Sequence, residues 1–165
     1  MTYQIALVCL GNICRSPTAE VVLSARLAEA GLAEAFVAES CGTGGWHVGE
    51  PMDPRTARVL EGAGYDASRH RARQFGADWF DHDLILTMDA SNHADVLAAL
   101  PADRGDRVRL FRTYDPQAVM SQTVGASDVP DPWYGGPDGF REVLAIVERT
   151  AAALVADLSE GVRRP

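Results

Sequence analysis

Cysteine is scarce in this chain. The three cysteines, at 9, 14 and 41, are too few and odd in number for a disulfide framework. Cys9 and Cys14 miss the CxxC spacing and no second pair exists to complete a zinc site, so neither a metal nor another cofactor is expected. Long apolar runs are absent too: none approaches the ~20 residues that cross a bilayer. The N-terminus lacks a basic stretch followed by an apolar segment and a small-residue cleavage site. A cytoplasmic protein without membrane contacts is the expectation; export without a signal is not readable from a sequence. Basic residues are outnumbered 15 to 23, for a formal charge of −8, which argues against nucleic acid as a partner. An anionic substrate is not excluded by that sign, because local donors at a site override the global field. There is no internal repeat, low-complexity tract or linker, so the 165 residues are expected to form one domain, 1–165, and a monomer.

What is present begins with a continuous apolar run over 5–10, the pattern of a strand buried on both faces. Ser16-Pro17 follows almost at once, with Ser suited to an N-cap and Pro to the first helical turn. Ala19, Val22, Leu23, Leu27 and Ala30 recur at helical spacing, and Gly31 is a natural stop. Further strands are expected over 36–39, 84–88 and 108–111, and helices over 54–62 and 89–100, with a glycine-rich loop over 42–49. Phe140, Val143, Leu144, Val147, Ala151, Leu154 and Leu158 mark an amphipathic C-terminal helix. Alternating strands and helices predict a three-layer α/β/α fold around a four-stranded parallel sheet. Ligands bind such sheets beyond the C-terminal ends of the strands, where residues 9–15 fall.

That segment reads Cys9-Leu10-Gly11-Asn12-Ile13-Cys14-Arg15-Ser16, or C-x5-R-S. A loop entering a helix N-terminus turns several backbone N–H groups toward one point, where the dipole also favours negative charge. Gly11 and Asn12 are the residue types that best take the left-handed conformation a concave loop needs. Arg15 offers a planar fork of donors for two phosphate oxygens. The same field favours a thiolate at Cys9, which puts a nucleophile where a phosphorus atom would lie.

A thiolate attacking a phosphate ester still needs a proton donor for the departing oxygen. Three Asp-Pro pairs offer candidates: Asp53-Pro54, Asp115-Pro116 and Asp131-Pro132. Asp53 reads as the N-cap of a helix with Pro54 at its first position. Asp115 reads as a turn residue after the fourth strand. Asp131 lies beside Trp133 and Tyr134, which could wall a pocket for a phenyl ring, but Asp-Pro is also a common turn. Composition leaves the choice open.

Taken together, these motifs resemble a low-molecular-weight protein tyrosine phosphatase of the bacterial type. The resemblance rests on Val8 to Pro17 near the N-terminus and Asp131-Pro132-Trp133-Tyr134-Gly135 near the C-terminus. Ser40, the loop from Gly44 to Gly49, His70 to Gln74 and Met88-Asp89 match in order between them. It implies a Rossmann-like fold, phosphotyrosine-bearing proteins as partners, and hydrolysis through a phosphocysteine on Cys9. It also implies Arg15 as phosphate binder, Asp131 as general acid and then base, and the 9–16 loop, with Leu10, Gly11, Ile13 and Cys14, as phosphate cradle. Asn12 and Ser16 would hold the loop, helped by Ser40, His70 and Asp89, while Trp46, Trp133 and Tyr134 would line an aromatic slot.

Rival readings are an arsenate reductase on the same fold, a silent phosphotyrosine-binding module and a mononucleotide or receiver domain. The first needs further cysteines downstream, where only Cys41 stands; the second does not need both Cys9 and Asp131; the third uses acidic or Ser/Thr-rich loops. Cys41 is expected to be inert packing, His47 to face solvent, Arg69, Arg71 and Arg73 to form a solvated face, and Trp79 and Phe80 to pack.

Overall fold

The computed structural model describes residues 1–163. The first apolar run forms β1 (Tyr3–Cys9), the inner strand of a parallel sheet in the order β2-β1-β3-β4, with β2 (Phe36–Gly42), β3 (Leu84–Thr87) and β4 (Val108–Leu110). Successive side chains of a strand point to opposite faces, and β1 divides accordingly. Ile5, Leu7 and Cys9 join a core with Val22, Leu23, Leu27, Val147 and Leu154, whereas Ala6 and Val8 join Trp79, Ile85, Val96 and Leu100. The first face is covered by α1 (Arg15–Glu29), α2 (Pro54–Gly62) and α5 (Pro137–Arg163), the second by α3 (Ala90–Ala99). These are the three layers expected.

Beside one-residue differences at the ends of β3, β4 and α3, three features differ from the sequence reading, each for a physical reason. Leu10 leaves the strand and is exposed, because the chain must turn there to enter the loop. β2 runs three residues further than expected, since Ser40, Cys41 and Gly42 keep pairing with Leu7, Val8 and Cys9. Ser16 is not a helix cap. Cys14 occupies the N-cap position of α1 without a capping bond, and the Ser16 hydroxyl lies 2.9 Å from Cys9 Sγ instead.

The stretch before α5 contains a short helix, α4 (Pro116–Met120), capped by Asp115. Asp115 is more than a turn residue: fully buried, it accepts from Arg112 Nε (3.0 Å) and from Arg149 Nε and Nη2 (2.7 and 2.8 Å). Burial raises its carboxyl pKa, but Arg149, Arg112 and the Gln117 amide outweigh it, leaving the group at about 2 against an ordinary 3.8. A depressed folded pKa stabilises the protein above the unfolded value, and that stabilisation disappears as the pH falls toward the folded one. The shift corresponds to about 2 kcal/mol. Asp115→Asn is therefore expected to lose about 2 kcal/mol at neutral pH in urea titrations and to flatten the stability profile between about pH 4 and pH 2. A variant as acid-sensitive as wild type would show that Asp115 carries no such linkage.

Candidate active site

Cys9 is the last residue of β1 and Arg15 the first of α1, so the intervening loop is pinned at both ends. Its carbonyls are tied outward. Cys9 O and Leu10 O accept from Thr43 N (2.9 Å) and Gly44 N (2.8 Å), and Ile13 O accepts from Asp53 N (2.9 Å). Asn12 O accepts from His70 Nε2 (2.7 Å). With those carbonyls engaged outside, the amides are left to face the concave side, at the positive end of α1. Gly42 lies against the back of the loop, where a Cβ would meet Leu10 O at 2.6 Å and Asn12 N at 3.0 Å.

Asn12 is the one non-glycine residue with a left-handed backbone (φ 57°) among those described. Its side chain makes that turn durable: Nδ2 donates to Ser16 Oγ and Ser40 Oγ, both at 2.9 Å, and Oδ1 accepts from Arg73 N at 2.8 Å. Ser40 donates in turn to Glu20, whose carboxylate also lies 3.6 Å from His70 Nδ1. Asn12 N, redirected by the turn, donates to Cys9 Sγ at 3.2 Å. Cys9 Sγ thus lies within hydrogen-bonding distance of one amide and one hydroxyl.

Arg15 is almost fully buried and aimed by carboxylates. Nη1 donates to Asp89 Oδ2 (2.6 Å) and Val129 O (3.2 Å), and Nη2 lies 3.5 Å from Asp131 Oδ2. Burial opposes its charge, but Cys9, Asp89 and Asp131 outweigh that and raise its pKa. Asp89 also caps α3 through Asn92 N, so the residue that aims the arginine is itself fixed by a helix start.

Cys9, Leu10, Gly11, Ile13, Cys14, Arg15 and Asp131 form a cavity of about 240 Å³ whose mouth is Trp46, His47, Trp133 and Tyr134. Of the three Asp-Pro pairs only Asp131 reaches it. Asp53 caps α2 and holds Arg55, and Asp115 is sealed under α5. Ser40, His70 and Asp89 do not line the cavity; they stand behind the loop and the arginine. Cys14 is a buried member of the loop, and burial pushes its thiol up to about 12. Cys41, in β2, is fully buried and its thiol is raised by burial as well.

Two side chains have partners beyond the sequence reading. His47 does not simply face solvent: it pairs with Glu50 at 2.7 Å and stands 6.1 Å from the Trp133 ring, closing one side of the mouth. Arg73 is exposed as expected but does not stand alone: it lies 4.9 Å over the Trp79 ring and bonds to Glu39. Arg55 has a role that nothing in the sequence singles out. Held by Asp53 through Nε (3.0 Å) and Nη2 (2.9 Å), it donates to Trp133 O (3.3 Å) and lies over the Trp133 and Phe140 rings at 5.3 and 4.5 Å. Because Asp53 N also binds Ile13 O, this pair ties the loop bearing Asp131 to the loop bearing Cys9. Local spacing shows the cap but not a partner 78 residues away.

A model of the family described as low molecular weight phosphotyrosine protein phosphatase matches residues 4–164. The chain is 49% identical over 164 residues to a low molecular weight protein-tyrosine-phosphatase of Streptomyces coelicolor, covering 98% of this chain and 97% of that one. It is 41% identical to low molecular weight protein-tyrosine phosphatase A of Mycobacterium tuberculosis, covering 92% and 88%. Among solved structures, a protein tyrosine phosphatase from Entamoeba histolytica with Hepes in its active site superposes with a TM-score of 0.88 at 31% identity, covering 98% and 99%. YfkJ from Bacillus subtilis superposes at 0.87 with 31% identity, covering 98% and 97%.

The contact between Gly42 and the loop has a measurable consequence. A methyl group there must displace the loop backbone, and misplacing a preorganised site by ~1 Å can cost ~10²-fold. Gly42→Ala is expected to weaken inhibition by inorganic phosphate by at least about tenfold. Unchanged phosphate affinity would mean that the amides do not form the anion cradle.

Proposed function

The chain belongs to the low molecular weight phosphotyrosine protein phosphatase family, and from that premise we propose that it hydrolyses phosphotyrosine on proteins, and small aryl phosphates, through a phosphocysteine on Cys9. The observation that carries the reading is the meeting of a cysteine, a buried arginine and an aspartate from distant parts of the chain in one aromatic-rimmed cavity. The reading takes the chain as one catalytic domain, 1–165, and extends to a cytoplasmic monomer acting on phosphotyrosine-bearing proteins.

In the first step the Cys9 thiolate attacks phosphorus in line with the aryl oxygen. A P–S bond forms, the P–O bond breaks, and protonated Asp131 gives its proton to the leaving phenolate. Arg15 and the loop amides bind the non-bridging oxygens as charge spreads over them. In the second step Asp131, now a carboxylate, takes a proton from water. The water oxygen bonds to phosphorus, the P–S bond breaks, and inorganic phosphate leaves with Cys9 restored as thiolate.

Magnitudes rank these contributions. An ordinary thiol of pKa ~8.5 is already a few per cent ionised at pH 7, so full ionisation gains only ~30-fold. General acid catalysis contributes ~10²–10⁴-fold, and preorganised donors a similar or larger factor. The transition state is loose, so positioning and charge stabilisation dominate. Selectivity follows from depth: a phenyl ring stacked between Trp46, Trp133 and Tyr134 spans the distance to Cys9, which a phosphoserine side chain does not. An arsenate reductase would need further thiols downstream that accept oxidation from Cys9 in turn, and only Cys41, fully buried, stands there.

Cys9→Ser is expected to retain phosphate binding while turnover of para-nitrophenyl phosphate falls below about one per cent of wild type. Residual activity above that level would remove Cys9 from the nucleophile's role. Asp131→Asn should lower kcat/KM, which reports the first step, by ~10²-fold or more for aryl phosphates with basic leaving groups and far less for those with good ones, because a proton donor matters in proportion to leaving-group basicity. Equal slowing across the series would make Asp131 a structural residue.

A further inference from the structure

A second cavity, of about 550 Å³, lies along α2 where it meets the first turns of α5. Arg55, Arg58 and Arg141 line it, over an apolar floor that includes Val59, Phe140 and Leu144. Every basic side chain of this chain is an arginine, and most are paired with a carboxylate. Arg58 is exposed, and its side chain makes no hydrogen bond or ion pair among the described residues. Arg141 has only Asp138, at 2.8 Å with both side chains largely in water, a pairing of the kind worth little. Asp53 is taken up by Arg55. No carboxylate-bearing residue lines this cavity, so its charge is positive in a protein of formal charge −8.

Its position matters as much as its charge. Arg55 forms one wall of this cavity and stacks on Trp133, and Trp133 is part of the mouth above Cys9. A single indole therefore separates the two. A polypeptide with one residue in the slot passes over Trp133 and Arg55 to reach Arg58, and an extended chain advances ~3.3 Å per residue.

We propose that this arginine-lined cavity is a second substrate site, which takes an acidic residue flanking the phosphotyrosine of the substrate protein. The inference rests on the phosphotyrosine phosphatase reading above and adds a sequence preference to it. Guanidinium groups fit this role because their planar donors pair with a carboxylate bidentately, and the apolar floor accommodates the carbon stem of a glutamate. The site also offsets a disadvantage of the whole chain: a net negative protein repels acidic peptides, and a local cluster of arginines reverses the field at the point of docking.

The test compares two phosphotyrosine peptides, one with glutamates on both sides of the phosphotyrosine and one with glutamines in the same places. Each exposed charge contact contributes roughly a two- to fivefold factor at low salt. Wild type should prefer the glutamate peptide in kcat/KM by about five- to tenfold, with most of the preference lost at ~0.5 M salt. The double variant Arg58→Ala/Arg141→Ala should bring the ratio of the two peptides close to one, and Arg58→Glu should invert it. The ratio compares substrates on the same protein, so a change in the amount of folded enzyme does not affect it. A wild-type ratio within twofold of one, or a preference that survives both variants, overturns the second site and leaves the phosphatase intact. If neither peptide is hydrolysed while para-nitrophenyl phosphate is, the phosphotyrosine-protein reading falls as well.

Discussion

Asn12 holds a left-handed backbone because its amide side chain is gripped by Ser16, Ser40 and the Arg73 amide while His70 binds its carbonyl. For a residue with a Cβ that conformation costs roughly 1–2 kcal/mol, and the four contacts offset the cost. Glycine would adopt the angle freely but would leave Ser16 and Ser40 without their donor. The turn at Asn12 sends its own N–H to Cys9 Sγ. It also reverses the chain so that the carbonyls on either side bond outward and the amides face one centre. A relaxed backbone there would scatter the donors and lose the thiolate's partner at once.

Around that turn the molecule is built in supporting tiers. The end of β2 supplies Ser40 and the bare Gly42 against which the loop rests; Glu20 of α1 binds Ser40 and faces His70. On the opposite side, the Asp89 cap of α3 aims Arg15, and the Asp53–Arg55 pair at the start of α2 reaches the loop that carries Asp131. The start of α1 closes the loop, and the starts of α2 and α3 supply the carboxylates that hold Arg55 and Arg15 beside it.

Much of this was legible where the determinant is local. The apolar run that begins at Ile5, the C-x5-R spacing, the Asp53-Pro54 cap and the periodic apolar positions of α5 all act within a few residues, and the elements they mark are present at those places, with Leu10 turned out of the strand. The errors share one cause, a partner that the local pattern does not reveal. Ser16 has the chemistry of a cap, but Cys9 and Asn12 claim its hydroxyl. Asp115 and Asp131 are indistinguishable as Asp-Pro pairs until Arg149 folds over the first and leaves the second at the cavity. Arg55 carries no signal of its role because Trp133 is on another element. Strand β2 was cut short because Ser40-Cys41-Gly42 reads as the start of a loop, whereas β1 keeps pairing with it.

All of these contacts serve a single chemical claim, that phosphorus is transferred to Cys9 and only then to water. Replacing Asp131 by Asn with para-nitrophenyl phosphate as substrate separates the two steps, because a good leaving group needs no acid whereas hydrolysis of the intermediate still needs the base. Rapid quenching of that reaction, followed by mass spectrometry of the peptide map, reads the intermediate directly. Phosphate should be found on the peptide containing Cys9, and on its sulfur. Phosphate on any other side chain, or no phosphoenzyme during a burst of nitrophenol, would contradict the mechanism.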